Sequence, residues 1–96
     1  PKCYNSSIMK IVKVTPKFKM YRLGFKYALR FDRYNHNKTL IKLCEMYGNG
    51  GPYNKYHSVI PNRRDAKTRN YLRFIYLKDE ADVTLLQLAG VLDEDS

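Results

Sequence analysis

Arg69-Asn70-Tyr71-Leu72-Arg73-Phe74-Ile75-Tyr76-Leu77-Lys78-Asp79-Glu80-Ala81-Asp82-Val83-Thr84-Leu85-Leu86-Gln87-Leu88-Ala89 is the stretch that decides the fold. Tyr71–Leu77 is rich in aromatic and branched side chains and holds no Gly or Pro, which suits a largely buried strand. Lys78-Asp79 turns the chain. Asp79 is a candidate helix N-cap, and Glu80 and Asp82 place negative charge at the positive end of a helix dipole. Ala81, Leu85, Leu88 and Leu92 recur at helical spacing and predict an apolar stripe that lies back on the strand. The expected core joins Leu72, Phe74, Leu85 and Leu88 to Leu29 and Leu43.

Outward from this unit, 96 residues suffice for one domain. Residues 1–7 and 93–96 are expected to be flexible ends. The apolar fraction of 44% is that of a globular chain. No apolar run is long enough to span a bilayer, so no membrane partner is expected. The start Pro1-Lys2-Cys3-Tyr4 lacks a signal-peptide apolar stretch and is consistent with a removed initiator Met. Cys3 and Cys44 form neither metal spacing nor a disulfide framework. Cys44 is expected as a small core residue, and the action as cytoplasmic.

Charge is distributed unevenly. All eighteen Lys and Arg fall in residues 1–78, where only Asp32, Glu45 and Asp65 oppose them, giving +15; residues 79–96 carry −6. A field this positive favours polyanions, nucleic acid above all. The same charge also serves as a solvated surface that keeps a protein soluble.

Along the chain, Ile8–Val14 reads as a first strand ended by Thr15-Pro16. Lys17–Leu23 fits a hairpin extension, a loop or a short helical turn. Phe25–Asp32 alternates cleanly: Phe25, Tyr27, Leu29 and Phe31 one way, Lys26, Ala28, Arg30 and Asp32 the other. Arg33–His36 reads as a turn. Asn37 then caps a helix from Lys38 to about Tyr47, with Leu40, Leu43, Cys44 and Tyr47 as its stripe and Gly48 closing it. Gly48–Pro52 leaves a helix and lacks a Gly-Lys-Ser/Thr ending, so it reads as a turn and not a phosphate loop. A short strand within Tyr56–Ile60 stops at Pro61. The expected fold is α+β in the order ββαββα: about four antiparallel strands with two helices on one face. A ferredoxin-like strand order is one option.

Two features suggest binding. If Leu72, Phe74 and Tyr76 pack under the helices with the Phe25–Phe31 set, the other sheet face shows Lys26, Arg30, Tyr71 and Arg73. Charge beside a ring is how single-stranded nucleic acid is held. The connection before Tyr71 adds Arg63, Arg64, Lys67 and Arg69 on a projecting basic loop. These eight residues are the expected interface, with RNA or single-stranded DNA as the partner. The alternative is a protein-binding module or inhibitor that meets an acidic protein surface through the same basic, Tyr-rich patch. A viral accessory protein would suit either reading. The acidic C-terminal segment either solubilises the end or folds over the basic face.

Catalysis has less behind it. His36 and His57 are the only histidines, and Glu45, Asp65 or a Tyr would have to join one for a nuclease-like acid–base pair. No HExxH, CxxC or nucleophile elbow is present. A non-enzymatic protein with no metal and no cofactor is expected.

Overall fold

In the computed structural model, which describes residues 10–31, 33–64, 66–67, 69 and 71–88, two antiparallel hairpins lie side by side. β1 (Lys10–Lys13) pairs with β2 (Tyr27–Phe31), and β3 (Tyr56–Val59) pairs with β4 (Arg73–Leu77). β2 and β4 join them, also antiparallel, with Leu29 opposite Ile75. The order is β1-β2-β4-β3, an α+β sheet with helices. The ferredoxin-like option is not confirmed: that fold is built of split βαβ units, whereas each long helix here follows a hairpin. Among the described residues, no helix is long and apolar enough to cross a membrane.

The outer strands of the two halves match by 47 residues when aligned through their partners, since Lys10 pairs with Arg30 and His57 with Tyr76. The inner strands match by 46: β2 starts at Tyr27 and β4 at Arg73. The inner shift takes Leu29 to Ile75, its own partner across the seam, so an approximate two-fold axis relates the ββα halves. The sequence hides this relation because the shift also pairs Tyr27 with Arg73 and Arg30 with Tyr76.

Local chemistry sets the element ends. Of the three readings open for Lys17–Leu23, the short helical turn forms, as α1 (Lys19–Arg22). Its end is a Schellman closure: Phe25 N–H donates to Met20 O and Gly24 N–H to Tyr21 O, with Gly24 at φ 100°. α2 spans Arg33–Tyr47, so the expected turn at Arg33–His36 is already helix. Its inner face begins with Asn35, His36 and Thr39, all buried. A reading that counts apolar residues misses such a face. Cys44 is exposed, not core, and Tyr47 is only partly covered. Gly48 closes α2 at φ 79° as expected. The glycine loop then packs on Tyr56, whose hydroxyl donates to Gly48 O at 2.7 Å. A Cβ on Gly50 would stand 2.6 Å from that ring.

α3 (Glu80–Leu88) is turned from its expected orientation. Val83 and Leu86 enter the core with Leu29, Phe31, Leu43, Tyr56, Ile75 and Leu77, while Leu85 and Leu88 are exposed. Val83 and Leu86 form an i, i+3 pair of their own, and a helix with leucines on several faces offers more than one stripe. Leu72 is buried, but outside the cluster that holds Leu29 and Leu43, and Phe74 is only half-buried. Residues 1–7 and 93–96, expected to be flexible ends, and Cys3, Asp32, Asp65 and Leu92 lie outside the described residues.

Leu86→Ala should lower the unfolding free energy by roughly 2–5 kcal/mol, the usual cost of truncating a core Leu. Leu85→Ala should cost less than about 1 kcal/mol. Urea denaturation of the two variants checks the helix orientation, and equal losses would refute it.

Candidate nucleic-acid interface

Cross-strand partners share a sheet face, and neighbours along a strand alternate. One face therefore carries Leu29 with Ile75, Tyr27 with Leu77 and Tyr56, and Phe31 with Arg73. Leu43, Val83 and Leu86 pack there, so this is the helix side. The other face carries Val12, Ala28, Tyr76 and His57 in one row, and Arg30, Phe74 and Val59 in the next.

Rings dominate this second face. Phe74 and Tyr76 stack at 6.3 Å and 25°. Phe25 lies 6.2 Å from both Tyr76 and His57, so it faces away from Leu29 and Phe31, contrary to the simple alternation. The Schellman turn that precedes β2 explains this, because it brings Phe25 in outside the strand register. Lys78 Nζ sits 5.2 Å from the Phe25 ring, and Lys26 Nζ sits 3.8 Å from the Tyr21 ring. Both ammonium groups are thus held by aromatic faces. Burial pushes the Tyr76 hydroxyl above its ordinary pKa of 10.0.

Of the expected interface, Arg30 lies on the face opposite α2 and α3, and Lys26 is anchored next to β2. Arg63, Arg64, Lys67 and Arg69 are exposed on the β3–β4 connection. That connection is braced rather than loose. Arg64 bridges to Tyr71, and Leu72 N–H donates to Arg63 O at 3.1 Å. The Arg64 guanidinium lies 4.6 Å from the Tyr71 ring and donates to its hydroxyl at 3.3 Å and to Arg69 O at 3.4 Å. Arg69 adopts φ 67°, a left-handed conformation uncommon outside glycine. One face of Tyr71 is therefore occupied by the chain's own arginine.

Arg73 needs correction. It pairs with Phe31 on the helix side and does not share a face with Arg30. The error is one of strand parity: Ile75 and Leu77 face the helices, and Phe74 and Tyr76 take the open side. Phe74, Tyr76 and His57 are the ring residues that sequence reasoning missed here. The available signal was aliphatic against aromatic: the helix side of β4 holds Ile and Leu, the open side holds rings, one with a polar tip.

The histidines separate. His57 is on the open face, whereas His36 is buried beneath α2 with its Nε2 2.9 Å from Ser58 Oγ. They lie on opposite sides of the sheet and cannot form a proton-transfer pair. Among the described residues, no group of His, Cys, Asp and Glu is arranged to hold a metal ion. Near the glycine loop, a cleft of about 540 Å³ lies between Tyr47, Tyr53, Lys55, Lys78 and Asp79. Much of its charge is internally matched: Lys55 meets Asp79 at 3.6 Å and lies 5.3 Å from the Tyr47 ring. Tyr47 donates to the buried Asp82 carboxylate, and that bond, with burial and the nearby Asp82 and Asp79 charges, pushes its pKa up to about 12.

No family model, curated protein or solved structure matches the chain. The functional reading therefore rests on geometry and charge.

His36 provides a pH test of the helix side. Burial pushes its pKa below 6.5; the Asn37 side chain partly offsets this, and the Arg73 charge adds to the lowering. The unfolded chain then takes the proton more readily. Stability is full above about pH 6.5 and falls as pH drops below it towards the folded-state value. The urea midpoint should decrease from about pH 7.5 to about pH 5.5, and His36→Gln should flatten that slope. A wild-type midpoint that stays level over this range would contradict a buried neutral His36.

Proposed function

We propose that the protein binds single-stranded nucleic acid, RNA or DNA, across the sheet face opposite α2 and α3, without catalysis. The observation that carries this reading is the partly exposed Phe74–Tyr76 ring pair beside Arg30, on a chain of net charge +9. Stacking on rings is tolerant of base identity, and basic groups beside the rings follow the phosphates. Lys26 and Lys78 flank the rings from the α1 side. Arg63, Arg64, Lys67 and Arg69 extend the positive field along the braced β3–β4 connection. In this reading Tyr71 is a positioning residue that holds Arg64, and the stacking role belongs to Phe74 and Tyr76. Arg73, on the helix side, contributes long-range charge alone.

The test is a salt titration of binding to a mixed-sequence labelled oligonucleotide, followed by fluorescence anisotropy. Tyr76→Leu and Phe74→Leu keep apolar bulk and remove the aromatic face. Each should weaken binding by roughly 1–3 kcal/mol with little change in salt slope. Arg63→Ala/Arg64→Ala should shallow the slope by roughly 0.7 for each phosphate that is no longer neutralised. A duplex of the same sequence should bind more weakly, since its bases are stacked inside. Absence of binding at low salt refutes the proposal in favour of an acidic protein partner. Equal binding by wild type and the ring variants reduces it to diffuse charge attraction.

A further inference from the structure

The cleft of about 540 Å³ beside the glycine loop has the size of a small-molecule site. Its walls are braced. Gly51 N–H donates to Tyr56 O at 2.9 Å, Asn54 N–H donates to Gly51 O at 3.1 Å, and the Asn54 side-chain amide donates to Asn49 O at 2.9 Å. Opposite them, the Tyr47 hydroxyl is tied to Asp82, and the Lys78 ammonium is held 5.2 Å from the Phe25 ring. Glycines leave a chain free to move, yet these bonds fix the loop as a wall. A preformed wall spares a ligand the cost of ordering it.

The lining brings three kinds of group together. Tyr53 lines the cleft and is 82% exposed, so its ring is accessible. Lys55 and Lys78 set two ammonium groups against the carboxylate of Asp79. Asn54 adds a side-chain amide whose orientation is set by its bond to Asn49, and such amides pair with the polar edges of bases. Lys55 meets Asp79 at 3.6 Å with both side chains more than half exposed. An exposed pair of this kind is worth little, so Lys55 exchanges Asp79 for a phosphate at small cost. We propose that the cleft binds a mononucleotide, its base on Tyr53 and its phosphate drawn by Lys55 and Lys78. The proposal does not rest on strand binding by the sheet face: apart from Lys78, the lining residues are not among those assigned to that face.

The experiment is an amide NMR titration of the full chain with adenosine monophosphate, with adenosine and ribose phosphate as the separated halves. The expected result is saturable shifts centred on residues 49–55 and 78–79, with each half binding more weakly than the whole. The variants fall at exposed positions, so the fold is retained. Tyr53→Ala should weaken the monophosphate roughly fivefold or more, the low end for losing one base–ring stack, and leave ribose phosphate unchanged. Lys55→Gln should weaken the monophosphate and leave adenosine unchanged. Asp79→Asn, which keeps a good helix-capping side chain, should tighten the monophosphate by releasing Lys55. Absence of saturable shifts through the millimolar range overturns the proposal. Shifts centred on Phe74 and Tyr76 overturn it too, as does full affinity in Tyr53→Ala. Weaker binding by Asp79→Asn also overturns it, since the cleft would then favour a cation.

Discussion

The β2–β4 seam is the constraint on which the rest depends. Leu29 and Ile75 face each other across it, and both are fully buried. A shift of one residue in a strand exchanges its two faces completely. Once Ile75 is paired with Leu29 beneath the helices, Leu77 follows it, and Phe74 and Tyr76 are sent to the opposite side with Arg30. The ring face is thus a product of the same register that builds the core. No separate device is needed to expose it.

Polar contacts beneath the helices then orient the two halves. The shift of 46 residues that relates β2 to β4 takes His36 to Asp82, and both are buried on their helices. Each is met by a hydroxyl from the other half: Ser58 of β3 for His36, Tyr47 of α2 for Asp82. Apolar packing is tolerant of small slips, whereas a buried polar group left without its partner costs about 1–3 kcal/mol. These two contacts therefore favour one docking angle over its neighbours. They also account for polar residues in positions that look unsuited to a core.

What could be read from the chain follows the same logic. Tyr27–Phe31 was legible because apolar and basic residues alternate there, and the structure departs only at Phe25, outside the strand. In Tyr71–Leu77 both faces are apolar or aromatic, so alternation alone does not say which set faces inward, and Arg73 was placed on the wrong side. α3 misled in the same way: its leucines occupy three directions, and Val83 with Leu86 proved to be the inner pair. α2 was cut short because its first inner turn is Asn35, His36 and Thr39. The basic connection was legible as charge, but not the clasp of Arg64 on Tyr71, which depends on residues seven apart meeting across a turn.

The two-fold relation between the halves has a consequence for how the chain reaches its folded state. β1 with β2 and β3 with β4 are each closed by a connection of thirteen residues, shorter than the separation bridged by the seam. Among the described strands, only the β2–β4 seam joins segments distant in sequence. Closing a longer loop costs more entropy, and non-local pairing slows folding. In this topology the largest closure cost falls on the docking of one half against the other. The molecule is, in chain topology, a tethered pair of related halves, with the Gly48–Pro52 turn as part of the tether.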